Sequence, residues 1–169
     1  MSRGEGEPGD EAARFLAAAA KAIANIRYCW LATKAEAGPL NVRPMGRTPR
    51  AVDEDEWIIR FVTDGRSRKA ADILRAGDVA VIFQGDADEA YLALTGSATL
   101  RAGASDDGRR WRDSYNVYFA GAEDRKNAAF IEVQVARMEL WIRGVTPEPF
   151  GLRPTALERD AAGLWRLIA

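Results

Sequence analysis

Short β-type runs, each closed by turn residues and only sometimes followed by a helix, constrain the fold of this chain more than any other feature. Tyr28 to Thr33 is the first, broken by Glu36, Ala37, Gly38 and Pro39 before Leu40 to Arg47 resumes, so the two read as a hairpin. Pro44 makes the second run an edge or a bulge, since proline has no N–H to give a ladder. Trp57 to Thr63 ends at Asp64-Gly65, and Val79 to Gln84 is nearly continuous in apolar residues, as a buried central strand is. Tyr91 to Leu100 carries Gly96 as a bulge or close-approach position, and Phe130 to Arg143 alternates over a length unusual for a strand. The tail, with Pro147, Pro149 and Pro154, ends in one or two short edge strands that include Trp165 to Ile168.

Helices are few. From Glu11, with Asp10 as N-cap, Phe15, Ala19, Ala22, Ile23 and Ile26 share one face, and Ala17 to Ala20 allow close packing on a sheet. Ser67 to Arg75 is a second helix closed by Gly77, and Ser105 to Asn116 reads as a third. An open parallel sheet needs a helix after nearly every strand; this pattern instead predicts a mainly β, compact antiparallel barrel of about six strands. Residues 1–9 read as a disordered leader and 10–169 as one domain, a length that supports a single core.

Two absences narrow the chemistry. There is no histidine, which removes His-ligated zinc, His-ligated haem and any imidazole base, and Cys29 is the only cysteine, expected to be buried and inert. No metal site is expected, and demanding chemistry must be brought in by a cofactor. The net charge is -1, so no global basic field draws the chain to nucleic acid or anionic lipid. No apolar run approaches the roughly 20 residues that span a bilayer, and the polar start has no signal-peptide pattern, so a cytoplasmic location is the expectation.

The segment richest in chemistry is Phe61-Val62-Thr63-Asp64-Gly65-Arg66-Ser67-Arg68-Lys69, a strand, a turn and the start of a helix. Helix N-termini favour acids, yet this one carries Arg66, Arg68 and Lys69 with no acid following before Asp72. A phosphate would satisfy the charges, the Ser67 hydroxyl and the free amides together. The competing reading makes Ser67 an ordinary N-cap and sends the basic side chains into water. In Asn41 to Arg47, Arg43 and Met45 share a strand face and suit a planar ring with carbonyls at its edge, although a charged edge strand would look the same. Trp111, Tyr115, Tyr118 and Phe119 form an aromatic set that fits core packing, a dimer contact or a cofactor lid.

In order and spacing, these segments resemble the pyridoxamine-phosphate-oxidase-like split barrels, specifically the general stress protein branch. The resemblance runs from about Phe15 to Trp141, through Cys29-Trp30-Leu31-Ala32-Thr33, Arg43-Pro44-Met45, Phe61 to Lys69, Val79 to Phe83, Tyr91 to Gly96, and Trp111 ahead of Tyr118-Phe119. It implies a six-stranded antiparallel split β-barrel and a homodimer with FMN at the subunit interface. Ser67, Arg68 and Lys69 would hold the FMN phosphate; Arg43, Pro44 and Met45, with Val62 and Thr63, would border the ring; Trp111 would reach it from the partner subunit. The expected function is FMN-dependent oxidoreduction of an unknown substrate, with NAD(P)H or a small molecule as partner and no catalytic residue assigned. The alternative is non-catalytic FMN binding for storage or stress sensing, and a deazaflavin is a further reading of the same fold. The true oxidases grip their substrate phosphate with an arginine and a serine after the Tyr-Phe pair. Ala122 and Lys126 stand there in this chain, and Gly151 to Thr155 offers no histidine for the substrate ring. Oxidation of pyridoxamine phosphate itself is therefore not expected.

Overall fold

The computed structural model describes residues 8–50, 52–103 and 110–168. The proposed leader falls mostly outside them. Helix α1 begins at Pro8 and runs to Ala24, three residues earlier than the Asp10 cap implied, because Pro at a first turn gives up no needed N–H. Its buried face, Ala12, Phe15, Ala19 and Ile23, follows the three- and four-residue spacing and packs on strands of the sheet.

Eight strands follow: β1 (Tyr28–Thr33), β2 (Asn41–Gly46), β3 (Ile58–Asp64), β4 (Asp78–Gly85), β5 (Ala90–Ala102), β6 (Ala128–Ile142), β7 (Thr155–Arg159) and β8 (Trp165–Ile168). All pairings are antiparallel, in the order β2-β1-β4-β5-β6-β7-β8, with β3 also on β6. Six of them make the barrel, and the hairpin β7–β8 is an addition that accounts for the larger strand count. The length of β6 explains how one sheet does both. Its first half pairs β3 and its second half pairs β7, while β5 runs along its whole other edge.

That β5–β6 ladder is interrupted at Thr95/Gly96. A Cβ on Gly96 would lie 1.9 Å from the Gln134 carbonyl oxygen, so only glycine fits the bulge. Leu31, Phe61, Val81, Phe83, Leu92 and Ile131 fill the interior, all nearly inaccessible to solvent.

The barrel is split between β2 and β3. Just past β2, the Thr48 N–H donates to the Arg60 carbonyl of β3 at 2.8 Å, closing one end. Beyond it no ladder joins the two strands among the described residues. Pro44, in the middle of β2, has no N–H to contribute to one.

The aromatic segment differs from its expected helix. Residues 104–109 lie outside the described residues, and Asp113–Val117 is a single 3-10 turn. A short helix the sequence pattern did not disclose, α3 (Ala122–Asn127), precedes β6. Helix α2 (Arg68–Arg75) follows β3 as expected, with Ser67 as its N-cap.

Candidate functional site

A cleft of about 830 Å³ opens where the barrel splits, within the range of about 300–1,000 Å³ typical of small-molecule sites. One wall is Pro44, Met45 and Gly46 of β2; the facing wall is Val62, Thr63 and Asp64 of β3. Tyr115, Val117, Tyr118 and Phe119 border it from the 3-10 segment. Tyr115 and Phe119 are held there by a small core with Ala128 and Phe130, against which Val62 and Trp111 pack.

At the open end, β3 turns into α2 and concentrates polar groups. The Ser67 side chain accepts from the Ala70 N–H at 3.3 Å and lies 3.4 Å from the Thr63 hydroxyl. Lys69 Nζ donates to that same hydroxyl at 3.1 Å, bringing the ammonium onto the cleft wall. Arg66 is differently engaged than the sequence pattern implied. Asp64, on its N-terminal side, pairs with it at 2.7 Å, and Asp124 of α3 stands 3.7 Å away. Those bonds to Arg66 hold the Asp64 carboxyl at about 2. The charges left for a ligand are Arg68 and Lys69.

Arg43 shares its strand face with Met45, as alternation requires, but its guanidinium does not border the ring side of the cleft. It donates to the Thr33 hydroxyl at 2.8 Å and to the Leu31 carbonyl at 3.2 Å, with Asp72 3.7 Å away. Asp72 is a hub that pattern reading passed over. Buried on α2, it accepts from Thr33 and from Asn41, each at 2.8 Å, and also pairs with Arg75. The Asn41 bond, ahead of those from Thr33 and Arg75, holds its carboxyl below the usual range against the effect of burial. Its sequence signal was a lone acid on the inner face of a helix otherwise rich in bases.

Asp72 thus fixes Arg43 behind the start of α2, where three cations crowd. Burial, then the Arg43 charge, press the Lys69 ammonium below the ordinary lysine value, with Asp64 pulling the other way. Burial also lowers Arg43; Asp72 opposes this and the neighbouring Arg68 charge adds to it. Cations whose charge is disfavoured where they stand, gathered at a helix N-terminus, suit a phosphate.

Of the other residues singled out from sequence, Pro44, Met45, Val62 and Thr63 border the cleft directly. Trp111 stands one layer back, edge-on to Tyr115 and Phe119 of its own chain, with Arg125 over its ring. Cys29 is buried with its thiol pushed up to about 12, chiefly by burial, as an inert residue should be. Lys126 is exposed and paired with Glu123 at 3.8 Å. No cluster of metal-ligating side chains occurs among the described residues.

The family model for pyridoxamine 5'-phosphate oxidase-like proteins matches residues 16–146. Among curated proteins no match is found. Solved structures share the fold at low identity. A pyridoxamine 5'-phosphate oxidase-related, FMN-binding protein from Nostoc punctiforme is 16% identical over 100% of both chains, with a TM-score of 0.70. A protein from Clostridium acetobutylicum related to general stress protein 26 is 16% identical, covering 86% of this chain and 94% of its own, with a TM-score of 0.67. PhzG from Burkholderia lata, solved with tetrahydrophenazine-1-carboxylic acid, is 18% identical, covering 96% and 91%, with a TM-score of 0.62.

Proposed function

Since the chain belongs to the pyridoxamine 5'-phosphate oxidase-like family, we propose that its cleft holds FMN and that the protein is a flavin-dependent oxidoreductase. Ser67, Arg68 and Lys69 hold the phosphate, while Pro44, Met45, Val62 and Thr63 border the ring. The observation that carries this reading is the start of α2 at the cleft, where Lys69 Nζ meets the Thr63 hydroxyl at 3.1 Å, the Ser67 hydroxyl stands 3.4 Å from it, and burial with the Arg43 charge disfavours the Lys69 ammonium, which a dianion relieves. FMN supplies the electron transfer; the chain supplies grip, orientation and shielding from water. A fluorescence titration of apo-protein tests it. FMN binds near one per chain and at least about tenfold more tightly than riboflavin, which lacks only the phosphate. Equal affinities remove the assignment.

A second reading, FMN binding without turnover, is favoured by one observation. No imidazole borders the cleft, Asp64 is held at about 2 and burial raises the Tyr115 phenol, so none of these is an acid or base suited to neutral pH. NAD(P)H oxidation by the FMN-loaded protein separates the two.

The site is proposed to work in a homodimer. The outer face of β2-β1-β4 exposes Tyr28 (58%), Trp30 (45%), Val42 and Ile82, with Trp30 placed between Pro44 and Ile82 by the strand register. A contiguous apolar sheet face of this kind needs cover, and it borders the cleft through Tyr28 and Pro44. Sedimentation at micromolar concentration is expected to give a dimer, and Trp30→Glu a monomer. A monomeric wild-type protein with FMN bound contradicts the shared site.

A further inference from the structure

The cleft has a second polar end. Where Tyr28 pairs with Gly46 at the limit of the β1–β2 ladder, the next residue outward on each strand is an arginine, Arg27 and Arg47. Both border the cleft. Neither has an ion pair with a carboxylate among the described residues. Arg27 lies over the Tyr28 ring, its guanidinium carbon 5.1 Å from the ring centre. Arg47 gives one N–H to the Ile23 carbonyl at the end of α1, at 2.9 Å, and its Nε is buried without a partner. The Tyr115 hydroxyl, on a side chain that borders both the cleft and a smaller cavity beside Thr48, is likewise buried and unpartnered.

The other cations near the cleft are accounted for. Arg66 is held by Asp64, Arg43 lies against Asp72, and Arg125 covers Trp111. Arg68 and Lys69 belong to the proposed phosphate site. That site is distant from Arg47, whose neighbour Thr48 bonds to Arg60, because Thr63 lies three residues farther along β3, about 10 Å at strand rise. One phosphate cannot serve both ends.

Resting on the FMN reading above, we propose that the Thr48 end of the cleft is the substrate subsite and takes the anionic group of a small planar acid. Arg27 and Arg47 supply the charge, and the Tyr28 ring beside Arg27 forms a flat, apolar wall. This differs from the phosphate grip of the true oxidases, whose positions carry Ala122 and Lys126 in this chain.

Benzoate and benzamide, alike in shape and different in charge, test the subsite. Each is titrated into FMN-loaded protein, read by the flavin difference spectrum, and into apo-protein, read by calorimetry. Benzoate binds saturably and about tenfold or more tightly than benzamide. Arg27→Ala, at an exposed position, lowers benzoate affinity at least fivefold and leaves FMN affinity within about twofold. Equal binding of the two probes, or no binding of either, overturns the subsite. So does an Arg47→Ala variant that weakens FMN while preserving the preference for benzoate, since the arginine then serves the flavin. If the wild-type protein fails to bind FMN while the apo-protein discriminates benzoate through Arg27, the cofactor reading falls and the anion subsite stands.

Discussion

Replacing Arg68 and Lys69 together by alanine is expected to weaken FMN roughly 10²–10⁴-fold without destabilising the apo-protein. Each replacement removes a charge-assisted contact worth about 1.5–3 kcal/mol, and each 1.4 kcal/mol is about tenfold in affinity. Folding loses little, because Arg68 is exposed and the Lys69 charge is disfavoured where it stands. Both pH trends follow from that. With the Lys69 value lower in the folded apo-protein than the ordinary value of about 10.4, the unfolded chain binds more protons between the two. Apo-protein stability therefore rises with pH across that window. FMN affinity falls across it, as the ammonium that meets the phosphate is lost. Lys69→Ala abolishes both trends. Flavin titrations and thermal melts from neutral to alkaline pH measure them, and unchanged FMN affinity in the double variant means these side chains merely face water.

The alternating runs made the barrel strands legible in the sequence, and Gly96 announced its own bulge. Pro44 likewise marked the strand that cannot be laddered on both sides, which is where the barrel splits. The extra hairpin was readable only as edge strands, because what seats β8 is its packing on α1 and the edge-on contact of Trp165 with Trp57, distant in sequence. At the site, the basic residues and Ser67 were visible as a departure from helix-end chemistry, whereas the roles of Arg43 and Asp72 were not. An arginine beside a methionine on one strand face has the same pattern whether it meets a ligand or a buried carboxylate. Asp72 gathers Thr33, Asn41 and Arg43 from two strands into one cluster, a grouping that strand alternation does not disclose. The segment expected as a helix over Ser105 to Asn116 is a 3-10 turn from Asp113, because its buried aromatics answer to Phe130 on β6 rather than to helical spacing.

Glu132→Gln is expected to cost about 3–5 kcal/mol of folding stability, the usual consequence of removing one partner from a buried ion cluster. Arg60 on β3 and Glu132 on β6 are register partners, both more than nine-tenths buried. Arg60 donates to Glu132 through Nε at 2.8 Å and a terminal nitrogen at 2.7 Å, and also pairs with Glu54. Arg101 meets the second Glu132 oxygen, while Arg110 bridges Glu54 at 3.1 Å and Glu132 at 3.6 Å. Among the described residues, three arginines thus meet at these two carboxylates. Removing Arg60 breaks its pairs with Glu54 and Glu132, whereas removing the Glu132 charge weakens the contacts of all three arginines and leaves Arg60 buried. The carboxylate is the more costly loss, and Arg60→Met should cost less than half as much. At about 2–4 °C per kcal/mol for a chain of this size, Glu132→Gln lowers Tm by about 6–20 °C. The network also anchors Arg110, next to Trp111, so loosening it should loosen the aromatic wall of the cleft and weaken FMN in parallel. Thermal melts of both variants and their double mutant decide the point: equal costs for the two single changes would show that the contacts gathered on the Glu132 carboxylate are not what holds β3 to β6.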